Sequence, residues 1–493
     1  MTFHPCGDMI MAVAKKAFAL TAMAWALSAC SLAPHYAKPQ APVATQFKGA
    51  GIWQQAQPAD KLPRGAWWSL YHDARLDHLE HQVLTSNNSL AMAVAHYDQR
   101  ADIAKEIDAN LYPTVTLGAS MARDRQSDHR PQRAIPGNEP NVYNADILGI
   151  GVDYEVDLWG QVHNEVAAGR AEAQAAEADL QNVQLSLQAQ LADDYMQLRG
   201  LDAEKKLLDD TVDAFSKALL LTQERHDGGV SSGLDVARAQ NRLASAQAEV
   251  YDVLALRALY EHSIAVLVGA NPSSFTIVPD STVMPLPPLP SMVPSQLLER
   301  RPDIAAAERR VAAANAYIGV ARAAYFPQIN LNPFAGYANT SADDWLTAPN
   351  TFWSLGPSAL VTLFDAGRIK AQVEQSKAQY AEQTARYRGT VLDAFRQVED
   401  ALARLQQFSG ESIRREQAAQ AAEHTEQLAM ARYREGIVNY LEVVTAQTDA
   451  LRAERANLNL RTRQLRASVE LVRALGGGWS RAGDKAQQQK EGA

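Results

Sequence analysis

The amino-acid sequence predicts a mainly α protein that carries a membrane β-sheet and arose by internal duplication. Three observations predict it. Two stretches of more than 130 residues lack proline, a repeat runs at an offset of 207, and four short segments alternate apolar with polar residues.

No proline occurs from Asn141 to Asn271 or after Pro357. Stretches without that breaker, rich in Ala, Gln, Glu, Leu and Arg, are what long helices require. The pattern predicts them from about Gln161 to His226 and from about Arg368 to Arg434. At 1.5 Å per residue each extends roughly 100 Å, far beyond the width of a globular domain. On the second, Ile369, Val373, Ser376, Tyr380, Gln383, Tyr387, Val391, Ala394, Val398, Ala401, Leu405 and Phe408 follow one another at steps of three or four. That stripe describes packed, coiled helices, and taken alone it also suits an ordinary two-stranded coiled coil. Leu180, Leu187, Leu191, Leu198, Leu201 and Leu208 repeat it more sparsely on the first.

The repeat aligns 224–251 with 431–458. Gly229 falls on Gly436, Val230 on Ile437, Asp235 on Glu442 and Ala239-Gln240 on Ala446-Gln447. Gly160 and Gly269 meet Gly367 and Gly476 at the same offset, and Tyr112-Pro113 pairs with Phe326-Pro327 at 214. Such a register means duplication, and it takes precedence over any local motif. Each half reads helix, strand, strand, very long helix, turn, helix.

At the N-terminus, Lys15 and Lys16 precede the apolar run 17–27, and Ser28, Ala29 and Cys30 follow it. The run is too short to span a bilayer and reads as a signal peptide. Leu27-Ser28-Ala29-Cys30 resembles the lipobox of bacterial lipoproteins. That resemblance makes Cys30 the lipidated residue, carrying a diacylglycerol and an N-acyl chain, and Ser31 in place of an aspartate favours sorting to the outer membrane. The chain therefore divides into a signal peptide (1–29), a lipid-anchored stalk (30–75), a first repeat (76–278), a proline-rich linker (279–297), a second repeat (298–475) and a flexible tail (476–493).

No later segment has eighteen consecutive apolar residues, so any crossing falls to strands. Leu148, Ile150, Val152, Tyr154, Val156 and Leu158 alternate with Gly149, Gly151, Asp153, Glu155 and Asp157. Trp353, Leu355, Ala359, Val361 and Leu363 do the same in the second half, and 114–121 and 328–331 alternate similarly. One face in oil and one in water, over nine to eleven residues, is the signature of a membrane barrel strand. The polar, proline-broken segment 122–143 reads as an extracellular loop. Four strands cannot close a barrel, because each lipid-exposed edge group would cost several kcal/mol. Other copies of the chain must supply the rest, and a symmetric ring is the economical solution.

These residues resemble a family: the TolC-like outer-membrane factors of tripartite efflux and type I secretion systems, in their lipoprotein NodT-like and OprM-like branch. The resemblance covers essentially the whole mature chain. It is carried by the lipobox with its stalk (30–39), Leu298-Glu-Arg-Arg-Pro-Asp-Ile304, Phe326-Pro327-Gln328, Leu363-Phe-Asp-Ala-Gly-Arg368 and Tyr433-Arg-Glu-Gly436. It implies a homotrimer with a 12-stranded outer-membrane barrel, four strands per chain, continuous with a 12-helix periplasmic α-barrel, and places the linker at an equatorial belt. It implies a passive export duct for small molecules, with a periplasmic membrane-fusion adaptor, an inner-membrane RND-type transporter and outer-membrane lipid as partners. A type I protein-secretion duct shares that architecture, and a periplasmic coiled-coil spacer lipoprotein is the rival from another class.

The resemblance also implies a gate at the periplasmic tips, the turns at 228–233 and 435–440 with Gly229 and Gly436. Residue matching makes Asp235 and Tyr433 partners of the latch and puts Glu442 at one acidic-ring position. Thr445 takes the place of a second ring aspartate. Three like charges crowded at a narrow mouth repel one another and attract cations. The simpler reading is that Asp235 and Glu442 favour the first turn of their helices through the dipole.

Other chemistry is excluded by what is missing. A net charge of −9 and a pI near 5.7 speak against nucleic acid. Two cysteines, Cys6 and Cys30, cannot build a disulfide or zinc framework. Gly149-Ile-Gly151 lacks the third glycine of a dinucleotide loop, and there is no P-loop or nucleophile elbow. His72, His78 and His81 read as solvated residues on an N-terminal helix rather than as metal ligands. The expectation is a protein with no enzyme activity, metal or cofactor beyond the lipid on Cys30.

Overall fold

The computed structural model describes residues 31–41, 66–127, 142–287, 301–340 and 345–477. The signal peptide, Cys30, most of the tail and 288–297 of the linker lie outside them.

A 3-10 turn, Trp67–Tyr71, leads into α1 (Ala74–Ser86), α2 (Asn88–Ala109), β1 (Thr114–Arg125), β2 (Val142–Glu155), α3 (Gln161–Asp227) and α4 (Gly233–Leu267). The second half contributes α5 (Pro302–Ala323), β3 (Gln328–Leu331), β4 (Phe334–Asn339), β5 (Thr351–Ser354), β6 (Pro357–Leu360), α6 (Arg368–Arg434) and α7 (Tyr440–Ala474). No described helix is long and apolar enough to cross a membrane. The chain separates into two compact units, each drawing on both repeats.

The first unit (1–39, 98–175, 308–386) holds the sheet. β1 pairs antiparallel with β2 from Thr114↔Asp153 to Arg125↔Val142. β2 then pairs with β4 and β3, which pair with β5 and β6. The result is a four-stranded meander whose outer edges are β1 at one side and β5 with β6 at the other. Both strands of the first hairpin run several residues further than their alternation indicates, so only 126–141 is left of the expected loop. Strand β2 ends at Glu155, short of Val156 and Leu158. In the second half each strand is broken in two, at Asn332-Pro333 and at Leu355-Gly356 before Pro357. Proline has no N–H for the ladder, so each break falls beside one: Pro333 lies inside the first, and Pro357 opens β6 opposite Leu331 directly after the second.

The same unit carries the start of the stalk. Residues 31–36 lie extended against α3 and α5: Ser31 donates to Asn164 at 2.8 Å, Asn315 to the Pro34 carbonyl at 2.8 Å, and Arg322 to the Leu32 carbonyl at 3.1 Å. Gly319 makes the approach possible, since a Cβ there would collide with Ala33 and Asn164. Small residues (Ala168, Ala171, Ala313, Ala316) bring α3 and α5 together.

The second unit (40–97, 176–307, 387–493) contains the larger core, in which Trp67, Trp68, Tyr71 and Leu76 pack on Leu191, Tyr195 and Leu198 of α3, Ile264 of α4 and Val469 of α7. Arg199 bonds Asp73 at 2.8 Å, the Tyr195 hydroxyl at 3.1 Å and the Asp280 and Thr282 carbonyls at 2.9 Å, which pins the start of the proline-rich segment. Arg301 in the Arg-Arg-Pro-Asp motif reaches Asp303, Gln397 and the Ala474 carbonyl that ends α7.

Every position of the α6 stripe is buried or half-buried, from Ile369 to Phe408. The glycines matched by the repeat share a left-handed backbone: φ is 71° and 89° at Gly160 and Gly367, and 71° and 85° at Gly269 and Gly476.

Candidate functional site

The two helical hairpins of the second unit end in matched turns. At the first, Gly229 N–H donates to the His226 carbonyl and Val230 N–H to the Arg225 carbonyl, both at 2.8 Å. At the second, Gly436 N–H donates to Tyr433 and Ile437 N–H to Arg432, at 3.0 and 2.9 Å. Both are Schellman closures, which need a left-handed residue after the last turn. Gly229 and Gly436 supply it with φ of 73° and 77°.

After each turn a short polar segment starts the returning helix. Ser232 caps α4 and forms a reciprocal capping box with Asp235, while Asn439 caps α7 by accepting from the Leu441 and Glu442 N–H groups. Asp235 therefore spends its carboxylate locally: Oδ2 accepts from the Ser232 hydroxyl at 2.9 Å, and Oδ1 lies 3.5 Å from Arg238. Glu442 stands in the first turn of α7, where a negative charge favours the helix dipole. Glu442 and Thr445 lie one turn apart on an exposed face, opposite buried Val443, Val444 and Ala446. The Thr445 hydroxyl is occupied by the Leu441 carbonyl at 2.9 Å.

Tyr433 lies at the centre of the contact between the hairpins. It is 3% exposed within a cluster of Ala218, Ala239, Tyr440 and Val443. Its hydroxyl bonds Thr222 and Ser231 of the first hairpin, each at 3.3 Å, rather than Asp235. The geometry thus brings Tyr433 to the turn that Asp235 closes, without a direct bond between the two.

Sequence reasoning missed Arg225. Its guanidinium lies 4.7 Å from the Tyr433 ring centroid, and Nη1 donates to the Tyr433 carbonyl at 2.8 Å and the Arg434 carbonyl at 3.4 Å. Those carbonyls close α6, where the dipole is negative and a cation is favoured. The repeat gave no signal, because Arg225 is half-buried whereas its match, Arg432, is exposed. A second feature was missed on α6 and α7. Burial, reinforced by mutual repulsion with Glu423, holds the Glu426 and Glu454 carboxyls above the usual range.

Among the described residues no group of three or more His, Cys, Asp or Glu is arranged to hold a metal. His78 and His81 are exposed on α1. Cys30 lies outside the described residues, though neighbouring Ser31 is fixed at the first turn of α3.

Comparison with known proteins places this architecture. A family model described as outer membrane efflux protein matches residues 79–270 and 293–477. The probable efflux pump outer membrane protein TtgC of Pseudomonas putida is 31% identical over 477 residues, covering 96% of this chain and 98% of its own. Outer membrane protein OprJ of Pseudomonas aeruginosa is 31% identical over 475 residues, covering 94% and 97%. Among solved structures, the outer-membrane channel OprN superposes with a TM-score of 0.84 at 30% identity over 91% of this chain and all of that one. The outer membrane protein VceC of Vibrio cholerae gives 0.79 at 29% over 86% of this chain and all of its own. With the family model spanning most of the described helices and all the strands, this chain belongs to the outer membrane efflux protein family and is an outer-membrane transport duct.

Proposed function

We propose that the chain forms a lipid-anchored trimer that serves as the passive outer-membrane exit of a tripartite, RND-type pump, opened at its periplasmic tips by an adaptor and an inner-membrane transporter. The observation that carries this reading is the four-stranded meander with β1 at one edge and β5 with β6 at the other. In lipid those edge groups need partners, and three copies supply twelve strands that close the ring. The matching helices of three chains then form a tunnel of twelve. Efflux is driven elsewhere, so the chain supplies no catalysis; its work is to conduct and to stay shut at rest.

Relatives named for toluene and antibiotic efflux support small organic compounds as the cargo. The latch comprises Tyr433 with Ser231, Thr222 and Arg225, next to the turn held by Asp235, with Glu442 and Thr445 at the mouth. Acylation of Cys30 fits the fixed position of Ser31 beside Asn164. The experiment is conductance in a planar bilayer after detergent extraction. Discrete ion-conducting steps, rare in the wild type and frequent once Arg225→Ala loosens the tip, are the expected result, and a bilayer that both proteins leave electrically silent contradicts the reading.

A further inference from the structure

Within the first unit the strands give way to helices around a cavity of about 290 Å³, whose lining includes Glu155, Asp157, Trp159, Phe326, Gln328 and Arg368. Much of its polar wall is satisfied internally. Trp159 Nε1 donates to the Pro327 carbonyl at 2.8 Å, and Gln328 Nε2 to Glu155 Oε2 at 2.8 Å. Asp157 is different. Its side chain is only 9% exposed, and Oδ2 accepts from the His163 backbone N–H at 2.8 Å and meets His163 Nδ1 at 2.6 Å. Its Oδ1 is buried and has no hydrogen-bond partner among the described residues. A carboxylate oxygen that loses its hydration needs a donor in return. The surroundings favour a positive one, since burial, followed by the charges of Glu155 and Asp157, raises the Glu165 carboxyl above its ordinary range.

The position of the cavity says where such a donor comes from. β2 ends at Glu155, β3 begins at Gln328 and β6 ends at Leu360, and all three residues line it. Gln161 lines it too, one helical turn before Asn164, the partner of Ser31 next to Cys30. The cavity thus lies where the sheet ends and beside the first turn of α3, which holds Ser31. Leu363 and Phe364, 92% and 88% exposed, stand between cavity-lining Thr362 and Arg368, as apolar side chains at a bilayer edge do.

We propose that this cavity binds a primary ammonium group, supplied by the phosphoethanolamine headgroup of an inner-leaflet lipid. Asp157 Oδ1 accepts from the ammonium, and Arg368 meets the phosphate. A primary ammonium carries three N–H donors, enough for Asp157 and Glu155 together, whereas a quaternary ammonium carries none. The location rests on the duct reading above.

The test is native mass spectrometry of the full acylated protein, delipidated gently from nanodiscs of defined composition. The wild type is expected to retain phosphatidylethanolamine over phosphatidylcholine by about tenfold, the ratio one charge-assisted hydrogen bond supports. Asp157→Asn brings the ratio close to one. Because the headgroups are compared on unmodified protein, the result does not depend on the variant folding. Free ethanolamine at millimolar concentration identifies the source: retention in its presence assigns the lipid, and displacement assigns a soluble amine at the same site. Equal retention of the two lipids by the wild type, or a preference that survives Asp157→Asn, overturns the proposal. Conductance of the same preparation separates the two readings. A protein that conducts once Arg225→Ala loosens its tip but shows no lipid preference defeats the ammonium site alone, and one that stays silent even then defeats the duct and the site together.

Discussion

The guanidinium of Arg225 covers the ring of Tyr433 at 4.7 Å and at the same time bonds the Tyr433 carbonyl at 2.8 Å. One side chain from the end of α3 therefore holds both the ring and the backbone that end α6, and ties the two hairpins of a protomer together. A half-buried cation–π contact and a charge-assisted hydrogen bond together contribute on the order of 2 kcal/mol. Removing that much from a closed state shifts an opening equilibrium by roughly thirtyfold. Arg225→Ala is predicted to raise the open probability of single channels. Arg225→Lys restores it only in part, because an ammonium keeps the charge but loses the planar fork.

The second prediction concerns the turn itself. Tyr433→Phe removes the bonds to Thr222 and Ser231, each about 1 kcal/mol, and Asp235→Ala removes a capping box of about 1 kcal/mol. The double variant is predicted to show larger single-channel conductance than either alone. Conductance equal to wild type would count against a latch at this turn.

A third prediction follows from Glu80, fully buried on α1 with neither carboxyl oxygen bonded among the described residues. Burial first, and Asp77 second, push its carboxyl up to about 9 from an ordinary 4.5. The folded state therefore holds a proton that the unfolded chain releases, and stability falls as pH rises between those values, by up to about 1.4 kcal/mol per pH unit. Glu80→Gln removes the penalty at little change in shape. Thermal unfolding at pH 5 and pH 8 is predicted to show nearly equal midpoints for wild type and variant at the lower pH, and a higher midpoint for the variant at the upper.

The fourth concerns the pin on the proline-rich segment. Arg199, with its side chain 6% exposed, joins Asp73 and Asp280. Arg199→Ala leaves Asp73 largely buried without its cation, a loss of about 3–5 kcal/mol. Limited proteolysis is predicted to cut the variant near 280–287 at protease levels that leave the wild type intact.

The two long helices were legible to within a residue: α3 and α6 start at Gln161 and Arg368 as the lack of proline and the stripe indicate, and α3 ends one residue past His226, whereas the single helix expected ahead of the first strands is two, α1 and α2, parted at Asn87. Local rules sufficed there, because propensity, periodicity and the closing glycines agree. Strand extents were less legible. Alternation fades in Ala122–Arg125 and Val142–Ile147, yet the β1–β2 ladder runs through both, held by backbone pairing that side-chain patterns do not report. The breaks at Asn332-Pro333 and before Pro357 were written in the sequence as prolines but masked by flanking apolar residues.

The tip was half legible. Gly229, Gly436, Ser232 and Asp235 announce a turn and a cap through local chemistry, and the turns fall where the repeat puts them. Arg225 was invisible, because its partners lie more than 200 residues away and its repeat mate Arg432 is exposed. Asp157 was read as one polar step of an alternating strand; only the fold shows it buried beside His163 beyond the strand's end.

The claim on which all of this depends is that one protomer carries a sheet with two open edges which sister copies complete. The direct measurement is the stoichiometry of the acylated protein extracted in detergent, by native mass spectrometry alongside infrared detection of strands protected from exchange in lipid. The account predicts three chains per particle with a protected sheet. A monomer, or a trimer whose strands exchange freely, contradicts it.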